Sequence, residues 1–124
     1  MSTLKIICTS VLMTAGMTLS GLALSANPAD FKDGILVDPQ GMTLYSFDKD
    51  ATNMSNCDGS CAVNWPPFIA LPGQAATKWE AIKRHDGSMQ WSYDGKPLYT
   101  WKDDHQRGDV TGDGRGGVWH IVKQ

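Results

Sequence analysis

A phenol and a carboxylate five residues apart occur twice in this chain. Tyr45 and Asp50 lie in "GMTLYSFDKD", and Tyr99 and Asp104 lie in "GKPLYTWKDD". Two residues after each Tyr stands a second aromatic, Phe47 or Trp101. A carboxylate beside a phenol can relay a proton, and two such pairs meeting at a pseudo-two-fold cleft can bind a ligand. A structural reading of the same residues stands beside this one. On a strand, Tyr45 and Phe47 point to one face and form an aromatic patch of the core. Asp50, just past the strand, can accept backbone N–H groups of the following loop. No obvious nucleophile or oxyanion site occurs elsewhere, so the expectation is a protein that is not an enzyme.

Three further groups carry chemistry. Cys57 and Cys61 flank Asp58-Gly59, a tight-turn signal. On a helix, side chains four apart hold their Cβ atoms about 5–6 Å apart. A disulfide needs about 3.5–4.5 Å, which the turn can supply. One disulfide is expected, with thiol exchange or metal ligation as the alternatives; the spacing lacks the two-residue gap typical of those chemistries. The loop "DVTGDG" sets Asp109, Thr111 and Asp113 as a calcium loop begins, with Gly114 next, but His120 stands where a bidentate Glu is needed. A tight glycine-rich loop without metal reads equally well. His85, His105 and His120, with Met42, Met54 and Met89, are copper-type donors in an oxidising compartment. No two are spaced as a ligand pair, so surface histidines and core methionines are the plainer reading.

The elements that position these groups are themselves duplicated. At an offset of 54, Gly41 meets Gly95, Leu44 meets Leu98, Tyr45 meets Tyr99, Phe47 meets Trp101, Asp50 meets Asp104 and Trp65 meets Trp119. Such self-similarity marks an internal repeat. Each copy predicts a hairpin, a polar loop and a closing Trp-bearing strand. In the first copy, about 34–70, the hairpin is "ILVDPQGMTLYSF" with Pro39-Gln40-Gly41 as turn, and the closing strand is "NWPPFIAL". In the second, about 88–124, Asp94-Gly95 is a strong two-residue turn signal and "VWHIVK" closes. Met89, Trp91 and Tyr93 alternate with Gln90 and Ser92, as in a half-buried strand. Between the copies, "TKWEAIKRHDGSMQ" offers either a short helix or a strand turning at Asp86-Gly87, and a strand is favoured for "WEAIKRH". The expected fold is all-β or mostly β: one small domain of two tandem hairpin–loop–Trp-strand repeats packed together. A lone hairpin cannot bury its apolar face.

Lys5 and the apolar run 6–24, ending in Ala23-Leu24-Ser25, have the layout of a secretory leader over 1–25, with the exported domain at 26–124. Its removal takes Cys8 and leaves Cys57 and Cys61, as an oxidising compartment favours. Cys8 sits at the start of the apolar run, so a lipobox is not expected. Without Lys5, ten Lys and Arg face thirteen Asp and Glu, a net charge of −3 with no basic run. That argues against nucleic acid and anionic membrane as partners. All five Trp fall in this part and are expected mostly in the core.

The stretches "GMTLYSFDKD", "CDGSCAVNWPP", "YDGKPLYTWKDD" and "GDVTGDGRGGVWHIV" together resemble the secreted-repeat family of predicted lipoproteins that carries a Tyr-x-aromatic-x-x-Asp motif. The resemblance covers about residues 34 to 122. It implies export, and a family whose molecular function is not established. It marks Tyr45, Phe47, Asp50, Tyr99, Trp101 and Asp104 as motif positions, not as catalytic residues. The chain departs from many members in lacking the lipobox. The expectation is a periplasmic or secreted module that binds a small ligand or an envelope protein, with no membrane span after cleavage and no cofactor. A calcium- or copper-binding protein and a thiol–disulfide redox protein are the alternatives.

Overall fold

Two Asp-Gly dipeptides set the hairpins. In the computed structural model, which describes residues 26–124, Asp33-Gly34 joins β1 (Asp30–Lys32) to β2 (Ile35–Val37). Asp94-Gly95 joins β6 (Met89–Tyr93) to β7 (Lys96–Pro97). Their φ values are 53° and 82°, then 51° and 84°. Two consecutive positive φ angles make a type I′ turn, which Gly adopts freely and Asp at modest cost. The wider turn after β2 is held by Asp38, whose carboxylate accepts the N–H groups of Gln40 and Met42 at 2.9 Å each. The secretory leader, its cleavage site and Cys8 lie outside the described residues.

The remaining elements are β3 (Tyr45–Phe47), α1 (Ser60–Asn64), β4 (Ala75–Ala76), β5 (Trp79–Lys83), a single 3-10 turn (Arg115–Gly117) and β8 (Trp119–Ile121). Strands β4-β5-β6-β7 form one antiparallel sheet, and β1-β2 and β3-β8 form two antiparallel pairs. The fold is all-β, a small single domain of two repeats with one five-residue helix.

Each repeat closes the other. Strand β8, from the end of the second repeat, pairs with β3 of the first, Phe47 opposite Trp119. The first repeat's own tail does the same in return: Lys102 N donates to Asn64 O at 3.0 Å, as Asp48 N donates to Val118 O at 2.8 Å. At the centre, Tyr45 and Tyr99 exchange backbone hydrogen bonds of 2.8 and 3.0 Å. A pseudo-two-fold axis passes between them. The same relation holds in the hairpins, where Leu36 and Trp91 play one part: Leu36 N reaches Val122 O at 2.9 Å and Trp91 N reaches Phe68 O at 2.8 Å. The β3-β8 pair and the central Tyr45–Tyr99 bridge exist only when both repeats are present, which is the physical reason for two copies.

Two sequence expectations need correction. "NWPPFIAL" is not a continuous strand: Asn64 ends α1, and only Pro67 and Ile69 make isolated bridges, to Tyr99 and Gln90. Two consecutive prolines lack the N–H donors that a ladder requires. Strand β6 is not half-buried either. Gln90 and Ser92, on its polar face, are as enclosed as Trp91. The polar face survives burial because each group is bonded: Gln90 Nε2 donates to Leu98 O at 2.7 Å, and Ser92 Oγ to Asn53 Oδ1 at 2.6 Å. The sequence reading also did not reach β1, β4 or α1.

All five Trp are buried, divided between two clusters. One gathers Leu36, Leu44, Trp79, Trp91, Leu98 and Val122. The other, on the pseudo-axis, holds Tyr45, Cys57, Trp65, Tyr99, Trp101 and Trp119. Gly112 packs flat against this second cluster. A Cβ there would lie 2.7 Å from Trp65 and 3.0 Å from Trp101. Gly112→Ala is therefore expected to cost about 2 kcal/mol by overpacking, readable as a lowered urea midpoint. An unchanged midpoint would show that the rings yield.

Candidate functional site

The motif residues meet across the axis, and the partners are exchanged. Tyr45 of the first repeat donates its hydroxyl to Asp104 Oδ2 of the second at 2.6 Å. Tyr99 of the second donates to Asp50 Oδ2 of the first at 2.7 Å. In both carboxylates the other oxygen holds the following loop. Asp50 Oδ1 accepts Asn56 N at 2.7 Å, and Asp104 Oδ1 accepts Thr111 N at 2.9 Å and Thr111 Oγ1 at 2.6 Å. Each Asp thus ties its own loop to the other repeat's central strand.

Around these braces the aromatics stack along the axis. Trp65 and Trp119 lie face to face at 3.8 Å with their planes 3° apart. Phe47 covers Trp119 at 4.2 Å, and Trp101 covers Trp65 at 4.1 Å. Tyr45 meets Trp65 edge-on, and Tyr99 meets Trp119 edge-on. Offset stacks and edge contacts of this kind add to the burial of ring area. Arg115 closes the Trp101 end, its guanidinium 4.8 Å from the ring centre.

Burial sets the electrostatics. Both phenols are fully enclosed, and loss of solvation, reinforced by the neighbouring carboxylates, raises each well above its ordinary value of 10. Each proton stays on its phenol at neutral pH, committed to an Asp. The two carboxylates differ: Asp104 is buried, whereas Asp50 is half-buried. Burial pushes the Asp50 carboxyl up from 3.8, opposed by its Asn56 and Tyr99 bonds and by the nearby charge of Arg84.

Arg84 is the residue that sequence reasoning missed. It follows β5 and carries no motif, yet only 4% of it is exposed. Its Nη1 donates to Ser55 Oγ at 3.0 Å and to Gln90 Oε1 at 2.8 Å, and its Nη2 donates to Cys57 O at 2.6 Å. Ser55 Oγ in turn lies 2.6 Å from the Tyr99 hydroxyl. The nearest signal was "RHDG" at the end of a predicted strand, which any surface hairpin could carry.

Cys57 and Cys61 form the disulfide, with their Cα atoms 5.3 Å apart. Cys57 precedes α1, and the positive φ of Gly59 turns the chain between them. A loop this short restrains the unfolded chain by about 2 kcal/mol. The calcium-loop residues are turned to separate partners. Asp109 Oδ2 accepts His105 N and Gln106 N at 2.8 and 3.2 Å, Thr111 serves Asp104, and Asp113 Oδ1 accepts Ile121 N at 3.0 Å. His120 pairs with Asp48, and His85 with Asp58. Among the described residues no group of three or more His, Cys, Asp and Glu is placed to hold a metal. No described helix is long and apolar enough to cross a membrane.

No curated protein and no solved structure matches the chain. A family described as a secreted repeat of unknown function matches residues 29–69 and again residues 80–123. Those two stretches are the halves that the pseudo-two-fold axis relates, and they span more than half of the chain. The chain belongs to that secreted-repeat family.

Proposed function

We propose that this is a non-catalytic module of the cell envelope that binds a small ligand. In this reading the leader is removed near Ser25 and the domain acts unanchored in the periplasm or outside the cell. One observation carries it. The groups that could do chemistry, Tyr45, Asp50, Tyr99 and Asp104, are spent on one another inside the fold. The motif then supplies a rigid scaffold, and recognition falls to the hairpins and loops around it, a common division of labour. The calcium-loop carboxylates are occupied by backbone N–H groups in the same way, which weighs against the metal reading.

The test is to compare the native and denatured masses of the protein purified from its own compartment. A native excess matching an organic molecule is the expected result. An excess matching calcium or copper would favour the metal reading, and equal masses would contradict small-ligand binding.

A further inference from the structure

Pseudo-symmetry exposes one place where the repeats differ in kind. On one side of the axis, the space between β6 of the second repeat and the loop after Asp50 of the first is filled. Arg84 folds back into it and bonds Ser55 and Gln90, and Asn53 bonds Ser92. By the backbone equivalence of Leu36 with Trp91, Gln90 and Ser92 correspond to Ile35 and Val37. By the equivalence of Asn56 and Thr111 on their carboxylates, Ser55 corresponds to Val110. So on the other side of the axis three aliphatic residues, Ile35 and Val37 of the first repeat and Val110 of the second, stand where Gln90, Ser92 and Ser55 stand on this one. The longer turn that delivers Arg84 is there replaced by the tight Asp33-Gly34 turn, which brings no side chain long enough to fill the space as Arg84 does.

What remains is an open cleft of about 320 Å³ whose apolar side chains are Ile35, Val37 and Val110, with Thr43 and two glycines beside them and Lys32, Asp33 and Arg107 as its charged residues. The volume lies within the range of small-molecule sites. The lining carries a net charge of +1 from two cations and one acid. Neither Lys32 nor Arg107 has a side-chain hydrogen bond or ion pair among the described residues. Arg107 is nonetheless placed. Its stem lies across Gly41, so closely that a Cβ there would come within 2.8 Å of Arg107 Cγ. In the twin, Thr52 takes this position over Gly95 and brings no charge.

We propose that this cleft binds a medium-chain monocarboxylate, with its alkyl chain on Ile35, Val37 and Val110 and its carboxylate against Arg107 and Lys32. The inference rests on the small-ligand reading and gives it a site and a ligand class. The aliphatic side chains give a polar ligand nothing to bond, the one hydroxyl in the lining, Thr43 Oγ1, already donates to Asp109 O at 2.7 Å, and the free cations discriminate a carboxylate from its neutral analogue.

The experiment is titration of sodium octanoate into the isotopically labelled protein, followed by amide shifts. Saturable shifts at Ile35, Val37, Gly41 and Val110 are expected. Arg107→Glu, at an exposed position, should weaken binding about tenfold or more, and octanamide should bind the original protein correspondingly worse. Val37→Phe, which fills the cleft, should remove the shifts, with melting curves confirming that both variants fold. Absence of saturable cleft shifts, or shifts that survive both substitutions, would overturn the assignment. If octanoate fails here while the purified protein still carries an organic mass, the site is wrong and the small-ligand reading stands.

Discussion

Trp65→Ala is expected to lower the free energy of unfolding by about 4 kcal/mol. The ring lies between Trp119 at 3.8 Å and Trp101 at 4.1 Å, with the edge of Tyr45 against it. Its removal opens a void at the axis, where rings from both repeats meet and none can follow inward without breaking a second stack. A domain of this size has a total stability of about 5–15 kcal/mol, so the variant sits near the edge of folding. Urea unfolding by near-ultraviolet circular dichroism measures it. Trp65→Phe keeps a ring in the stack and should recover a large part of the loss. A cost under about 1 kcal/mol would show that the aromatic column is not a principal support.

Asp104→Ala is expected to cost about 3 kcal/mol and Asp50→Ala distinctly less, although the residues are twins. Asp104 is buried, and its loss strands three donors: the enclosed Tyr45 hydroxyl and both donors of Thr111. Asp50 is half-buried and holds two donors, the Tyr99 hydroxyl and Asn56 N. Tyr99 also retains Ser55 as a hydroxyl partner when Asp50 is gone. Equal losses in the two variants would contradict this difference in burial and partners.

Much of the scaffold was legible in the sequence because local chemistry dictates it. Asp94-Gly95 specifies its turn, and the repeated Gly, Leu, Tyr, Asp and Trp positions declare the duplication. Asp50 at a strand end followed by a polar loop foretells the bond to Asn56 N. What was not legible is long-range. Nothing in Tyr45-x-x-x-x-Asp50 says that the phenol belongs to Asp104, because a motif written twice satisfies pairing within or between copies equally well. The enclosure of Gln90 and Ser92 was hidden for the same reason: their cover comes from a loop more than thirty residues upstream and from Arg84. Alternation reports which face is polar, not whether a polar face is buried. Strands β1 and β4, of three and two residues, are too short to show a period.

The central claim is that the duplicated motif is a reciprocal brace between repeats. A double-mutant cycle on stability tests it most directly, with Tyr45→Phe combined first with Asp104→Asn and then with Asp50→Asn. Coupling of about 1.5 kcal/mol between Tyr45 and Asp104, and none between Tyr45 and Asp50, is the predicted result. Coupling within the first repeat and additivity across the axis would contradict the account.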